Sequence, residues 1–337
     1  MSPSIEDVAR RAGVSIATVS RSLRGLPDVA ESTRDRVLTA ARELDYVASP
    51  FAARLASGRT STVGVVVPFV DRWFFAQVLG GLERELQAGG FDLLLYNLGD
   101  TPGRERFFTV MPARKRVDAL LVASLVLTDM ELEALKTLNC PIAMLGVEVE
   151  GVLCTGIDDR AGARVAVEHL ISLGRRSIAL IGGDTEDPMR FTPPLYRRDG
   201  YLQALSAAGI EYDPRMDELG YFTVAGGEQA MSTILQREPR PDAVFAESDE
   251  MAYGAMRAIR RAGLRVPEDI AVIGFDDHES AELLDLSTIR QDVSAQAGVL
   301  AKRLLNVLAG ETETATAELL PTELVVRGST DPSRSSY

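Results

Sequence analysis

Residues 4–23 read SIEDVARRAGVSIATVSRSL, and the architecture of the N-terminal end follows from them. Ser4 and Asp7 make a capping-box-like start: the serine oxygen can accept a backbone N–H, and an acid suits a helix N-terminus. Val8, Ala9 and Ala12 give that helix one apolar face. Gly13 ends it where a left-handed backbone costs little. Ser15 caps a second helix only two residues later, from Ile16 to about Leu23. Two helices joined by so tight a turn, with Ala9, Gly13 and Val19 at the crossing, form a helix-turn-helix pattern. Small residues let the helices approach, and Val19 fills the space beneath them.

The second helix turns Ile16, Ala17, Ser20 and Arg21 to one outward face. Arg21 suits guanine N7 and O6 in a major groove, and Thr18 and Ser20 suit phosphate or base edges. Ile16 and Ala17 are small or apolar enough to touch a thymine methyl. With the capping Ser15, these six residues are the expected DNA contacts of the head. A third helix is expected from a Ser32 cap, burying Val37, Leu38, Ala41 and Leu44. A generic three-helix bundle with merely solvated arginines is the plainer alternative, and the combined spacing outweighs it.

Composition bounds the rest. At 337 residues the chain is long enough for two or three folding units. Hydrophobic residues at 46% and charged residues at 25% describe a globular chain. Cys140 and Cys154 have no disulfide-framework or zinc-ligand spacing, so no cofactor is expected and a reducing compartment is. The N-terminus has no apolar signal core, and the longest apolar runs, Val63–Val70 and Ala119–Leu127, are about half a membrane span. A cytoplasmic chain with no membrane partner is expected. The net charge of −13 hides an asymmetry: residues 1–60 hold nine Arg and seven acids, whereas the remainder holds 27 basic and 42 acidic residues. Such a chain presents one end to phosphate.

From Val63 onward, apolar segments alternate with amphipathic ones. Strands are expected at Val63–Pro68, Phe91–Asn97, Val117–Ser124, Pro141–Gly146, Ser177–Gly182, Ala243–Glu247 and Ala271–Phe275. Helices are expected at Ala76–Ala88, Ala161–Leu173, Arg198–Ala208, Gly227–Arg237 and Met251–Ala262. Apolar strands in β-α-β alternation imply an α/β fold with parallel sheets covered on both faces, and so many strands imply two lobes. Ligands of open parallel sheets lie beyond the carboxyl ends of strands. Trp73-Phe74-Phe75, Asp158, Ser248-Asp249 and Asp276-Asp277 sit there. No phosphate loop, GxSxG elbow or HExxH occurs, and neither His169 nor His278 belongs to a catalytic constellation, so an enzyme is not expected.

The stretch IEDVARRAGVSIATVSRSLRG (5–25) resembles the head of the lactose-repressor (LacI) family almost position for position. TRDRVLTAARELDYVASPFAARLASGRT (33–60) resembles that family's third helix and hinge, and similarity continues over roughly residues 3–328. The resemblance implies a head at 1–48, a hinge at 49–60 and a body at 61–337 with a periplasmic-binding-protein-like fold. Lobe 1 would span about 61–158 and 292–320, and lobe 2 about 161–289 and 321–330. It also implies that the hinge wedges Leu55 between base pairs from the minor groove, with Ala52 and Ala53 beside it; an apolar wedge unstacks a step and is repaid by wider contact.

In the body, LYRRDGYLQAL places Arg197 where the family's arginine hydrogen-bonds the effector, and VIGFDDHES places Asp276 where an aspartate accepts effector hydroxyls. GYFTVAGGEQAM puts Phe222 beside the ligand, FAESDEMAYGAMRAI puts Ser248 where asparagine is common, and STIRQD puts Gln291 at a crossover. Trp73 stands where many relatives carry proline, so the first-lobe wall is expected to be reshaped; Phe74 and Asp158 complete the expected effector contacts. The plain alternatives are an interlobe Arg197–Asp276 salt bridge, a core role for Phe222 and a helix cap at Asp276-Asp277. The resemblance implies a repressor that binds double-stranded operator DNA as a homodimer, controlled by a small molecule, a sugar, held between the lobes. A purine or a protein co-regulator is the alternative effector, and a transport solute-binding protein fits less well.

Overall fold

In the first helix, α1 (Ile5–Ala12), Ser4 Oγ accepts the Asp7 N–H at 3.3 Å and Asp7 takes the Ser4 N–H at 3.0 Å, closing the capping box. The computed structural model describes residues 3–23, 28–46 and 59–334, and the chain divides into two compact units between Ser61 and Thr62. Gly13, at φ 67°, ends α1 in the left-handed conformation that permits the tight turn into α2 (Ile16–Leu23). With α3 (Glu31–Glu43) these helices bury Val8, Ala9, Val19, Val37, Ala40 and Ala41 as the core of the first unit. Two expectations for α3 are corrected. It begins at Glu31 after Ala30, with no side-chain cap from Ser32, and Leu38 is 39% exposed while Ala40 fills the core. The helix phase set by Val37 and Ala41 turns position 38 outward. Ala52, Ala53 and Leu55 lie outside the described residues.

The second unit is a two-lobed α/β body. Lobe 1 begins with β1 (Thr62–Val67), α4 (Trp73–Ala88), β2 (Asp92–Asn97), α5 (Thr101–Val110), β3 (Ala119–Ala123), α6 (Asp129–Lys136), β4 (Ile142–Leu145) and β5 (Leu153–Gly156). Lobe 2 follows with α7 (Asp159–Ser172), β6 (Ile178–Gly182), α8 (Pro193–Ala207), β7 (Asp217–Leu219), α9 (Val224–Ile234), β8 (Ala243–Ala246), α10 (Asp249–Arg261), β9 (Ala271–Asp276), α11 (Ser280–Leu283) and β10 (Ser287–Arg290). The chain then returns to lobe 1 as α12 (Val293–Ala309) and β11 (Ala317–Leu319), and to lobe 2 as β12 (Glu323–Val325). Each lobe holds a six-stranded sheet, ordered β11-β5-β4-β3-β1-β2 and β12-β10-β9-β8-β6-β7. All pairings are parallel except β10 with β12.

Central strands such as β1 and β3 are buried along their whole length because helices cover both faces. β2 differs from its sequence expectation: it is the sheet edge, and its Asp92 and Leu95 are exposed despite the apolar run. Strands β5, β7, β10, β11 and β12 were not expected, because each is only three or four residues long and most carry polar residues. Ser287 and Thr288 are nevertheless buried in β10, their hydroxyls donating to the Arg327 carbonyl at 2.9 Å and to Asp249 Oδ1 at 2.6 Å. Close helix packing has its own residue: a Cβ on Gly81 of α4 would stand 2.4 Å from the Ser294 carbonyl of α12.

Segment 183–192, which follows β6, does not stay with lobe 2. Leu125 and Phe191 form a β-bridge, the Val126 N–H donates to the Arg190 carbonyl at 3.2 Å, and Met189 is buried in the lobe 1 core. Buried Arg104 of α5 holds this strap: it donates to the Met189 carbonyl, to the Val126 carbonyl at 2.7 Å, and to both Glu131 carboxylate oxygens at 2.8 Å.

Candidate functional site

The DNA contacts expected in the head lie on and just before α2. Ser15 Oγ accepts the Thr18 N–H at 3.2 Å and lies 2.9 Å from Thr18 Oγ1, so both hydroxyls serve the helix start. Ile16 is 47% exposed, Ala17 and Arg21 are exposed, and Thr18 and Ser20 are half-buried. Arg21 Nη1 donates to Asp28 Oδ2 at 3.0 Å. Such an exposed ion pair holds by less than about 1 kcal/mol, so it does little to fix the Arg21 side chain.

The second site lies between the lobes. A cavity of about 670 Å³, counting its open mouth, is walled by Phe69, Phe74 and Phe75 of lobe 1, by Phe191 of the strap and by Tyr221 and Phe222 of lobe 2. Its charged lining is Arg72, Asp184, Asp187, Arg197, Glu250 and Asp276. Arg197, 3% exposed, is anchored by Asp159 Oδ1 at 2.7 Å, the Glu247 carbonyl and Asp276 Oδ1 at 3.3 Å, and its guanidinium lies 3.7 Å from the centre of the Phe275 ring. This reach depends on α8 lying close to α7: a Cβ on Gly200 would stand 2.2 Å from the Arg160 carbonyl.

Asp276 is 6% exposed and takes φ 115° at the end of β9, a costly conformation for a side-chain-bearing residue. Tyr221 and Phe222 also adopt positive φ, so the backbone strain of lobe 2 gathers around the cavity. Asp276 Oδ1 also accepts from Gln291 Nε2 at 2.6 Å, and Gln291 Oε1 accepts from Gln296 Nε2 of α12 at 2.9 Å. A chain of two hydrogen bonds thus joins the cavity carboxyl to lobe 1. Burial pushes Asp276 up to about 6, against the pull of Arg197 and Gln291. It also raises Glu250 to about 7, helped by Asp276, and Glu247 to about 8. On the opposite lip, Arg72 Nη1 donates to the carbonyls of Tyr221 at 2.6 Å and Phe222 at 3.3 Å, bonding lobe to lobe.

Residues 4–49 match the model of bacterial regulatory proteins of the lacI family, and residues 167–330 match a periplasmic binding protein-like domain. The HTH-type transcriptional regulator CelR of Thermobifida fusca is 36% identical, over 97% of this chain and 98% of its own. The HTH-type transcriptional repressor CytR of Escherichia coli (strain K12) is 34% identical, over 97% and 96%. The chain belongs to the LacI family. Among solved structures, a CelR–cellobiose complex is 35% identical with a TM-score of 0.72, covering 97% of this chain and 99% of that one. The lac repressor dimer bound to operator and the anti-inducer ONPF is 29% identical with a TM-score of 0.86, covering 98% and 99%. This LacI-family protein is therefore a DNA-binding transcription regulator.

Within this LacI-family body, the cavity brings together Phe74, Arg197, Phe222 and Asp276 of the effector contacts expected from sequence. Arg197 and Asp276 do form a salt bridge, but both belong to lobe 2, on α8 and β9. Gln291 stands behind the cavity and orients Asp276. Three expected contacts are placed elsewhere. Asp158 is exposed and caps α7 through the Ala161 N–H at 2.9 Å, while its neighbour Asp159 is the buried partner of Arg197. Ser248 is fully buried and caps α10 through the Met251 N–H at 3.4 Å. Trp73 does not line the cavity; its ring packs 5.0 Å from His278, linking the two lobes beside it. The Pro-rich segment Asp184–Pro194 before Arg197, expected from sequence as part of the rim, does line the cavity through Asp184, Asp187, Phe191, Pro193 and Pro194, whereas sequence reading missed Phe69, Arg72 and Glu250. Arg72 directly precedes Trp73 and Glu250 closes Glu-Ser-Asp-Glu, but nothing local says that these side chains face a cavity.

No helix among the described residues is long and apolar enough to cross a membrane, and no group of His, Cys, Asp and Glu there could hold a metal ion.

Proposed function

We propose that this regulator represses transcription in the cytoplasm as a homodimer on operator DNA, and that a small carbohydrate bound between the lobes changes its operator affinity. The observation that carries this reading is the buried Arg197–Asp276 pair at the base of an aromatic-walled cavity. A guanidinium and a carboxylate suit vicinal hydroxyls, and ring faces suit the apolar faces of a sugar ring. The 35% identity to a regulator solved with cellobiose supports a sugar of that kind. Exposed apolar side chains support the dimer: Leu95 on the β2 edge, and Tyr221, Val224 and Leu283 on lobe 2. The lac repressor, which this chain resembles, was solved as a dimer on operator. Residues 49–60 serve as the hinge, with Ala53 and Leu55 at the minor groove.

Operator and sugar each favour one lobe arrangement, so their coupling must be reciprocal. The test is a titration of mono- and disaccharides, cellobiose included, into the full-length protein on its operator. A saturable change in operator retention is expected, and sugar affinity must change by the same factor when operator is present. No response to any sugar at millimolar concentration, with a response to a purine, sinks the carbohydrate reading. In the head, Arg21→Ala is expected to erase the preference for operator over random duplex while leaving the body's melting temperature unchanged. An unaltered preference would show that α2 does not read the bases through Arg21.

A further inference from the structure

We infer that Glu250 sets the charge class of the effector, so that the cavity admits neutral or cationic polyhydroxylated compounds and rejects their phosphorylated forms. The inference rests on the interlobe cavity being the effector site and deepens that reading. Four carboxyl groups line the cavity, those of Asp184, Asp187, Glu250 and Asp276, against two guanidinium groups, those of Arg72 and Arg197. Both cations are already engaged. Arg197 is committed to Asp159, Asp276 and the Glu247 carbonyl. Arg72 is committed to the carbonyls of Tyr221 and Phe222 and lies 5.0 Å over the Phe69 ring. A phosphate reaching the remaining N–H groups of Arg72 would also meet the carboxyl groups of Glu250 and Asp276, which line the same cavity.

The carboxyls are engaged less completely. Asp184 and Asp187 accept N–H groups of their own strap, from Glu186 at 2.9 Å and Met189 at 2.8 Å. The bonds to Asp276 fall on Oδ1. Glu250, half-buried on the first turn of α10, forms no ion pair among the described residues; the charges that act on it are Asp276 and Arg72, and its one side-chain hydrogen-bond partner is the neutral hydroxyl of Ser248. Its carboxyl therefore faces the cavity as an acceptor for ligand O–H or N–H groups and as a like charge against anions. Excluding a wrong ligand by an uncompensated charge is as effective a source of specificity as attracting the right one. A carboxylate in the first turn also suits the helix dipole. That structural role would affect melting, but it would not alter the discrimination between two ligands that differ only in charge.

The test is calorimetric titration at pH 8 of the full-length protein, wild type and Glu250→Gln, with matched neutral and phosphorylated pairs: cellobiose and cellobiose 6′-phosphate, glucose and glucose 6-phosphate, adenosine and its 5′-monophosphate. For whichever pair binds, wild type is expected to prefer the neutral member by at least about 100-fold, some 2.7 kcal/mol at 1.36 kcal/mol per decade. Glu250→Gln should narrow that preference to less than about tenfold, whatever it does to the affinity of the neutral member. Glu250→Ala should narrow it likewise, should the glutamine variant prove unstable. Equal or tighter binding of a phosphorylated member by wild type, or an unchanged ratio in both variants, overturns the inference. A preference carried by adenosine alone removes the sugar reading and leaves the role of Glu250 standing. No binding of any neutral compound overturns both.

Discussion

The two lobes wall the same cavity with different chemistry. Lobe 1 contributes rings, Phe69, Phe74 and Phe75, with Arg72 at the lip. Lobe 2 sets its two rings, Tyr221 and Phe222, beside an interlocked polar base in which Arg197, Asp159, Asp276 and Gln291 hold one another inside the protein. A ring wall gains by dispersion and area, which tolerate small shifts. A buried charged wall loses several kcal/mol when one member is removed. Lobe 2 is thus the wall rigid enough to orient a polar ligand, whereas lobe 1 offers it apolar area. The strap anchored by Arg104, the Gln291–Gln296 bond, the Arg72 bonds to Tyr221 and Phe222 and the Trp73–His278 ring contact tie the lobes.

That comparison can be broken by mutation. Arg197→Met should have the largest effect, because Asp159 and Asp276 would stay buried without their cation; a loss of about 3–5 kcal/mol in denaturant unfolding is expected, with no effector response. Unchanged stability would mean that the lobe 2 wall is not interlocked. Phe74→Ala on the opposite wall should weaken effector binding by up to about tenfold, the worth of one aromatic contact, while body stability changes less than in Arg197→Met. A larger stability loss than that would erase the distinction between the lobes.

The pH profile sharpens the same contrast. Glu247 and Glu250 hold protons in the folded state, with values near 8 and 7, that the unfolded chain has already released. Their contribution is full below the unfolded values and is lost as pH rises through the folded ones. The melting temperature of the body should therefore rise as pH falls from 8.5 to 6.5, and Glu247→Gln should flatten the slope. Below that window His169 and His278, whose values burial lowers, oppose further gain. A profile that is flat or climbs toward pH 8.5 would refute the assignment. Arg72→Ala should have the smallest effect: the loss of one net hydrogen bond between the lobes, about 1 kcal/mol, predicts effector release roughly fivefold faster by stopped-flow, with equilibrium stability nearly unchanged.

Much of this protein was legible without coordinates wherever the determining contacts are local. The capping box of Ser4 and Asp7, the Gly13 stop and the Val19 contact all fall within one 20-residue stretch, so residues 4–23 alone specify two abutting helices. The apolar strands of the body were likewise visible, because burial on both faces needs continuous hydrophobic runs. Arg197 and Asp276 could be singled out because they stand in motifs that resemble a known family.

Tertiary structure decided which neighbours of those residues matter. The choice between Asp158 and Asp159 depends on how α7 is rotated against α8, a contact set by Gly200 some forty residues later. Glu250, Arg72 and Phe69 come together only because sheet order and the strap bring residues 69 to 276 around one cavity. Short-range hydrogen bonds and periodicity are written into adjacent residues, whereas the facing of a side chain across a cleft is a property of packing between distant segments, which adjacent residues do not encode.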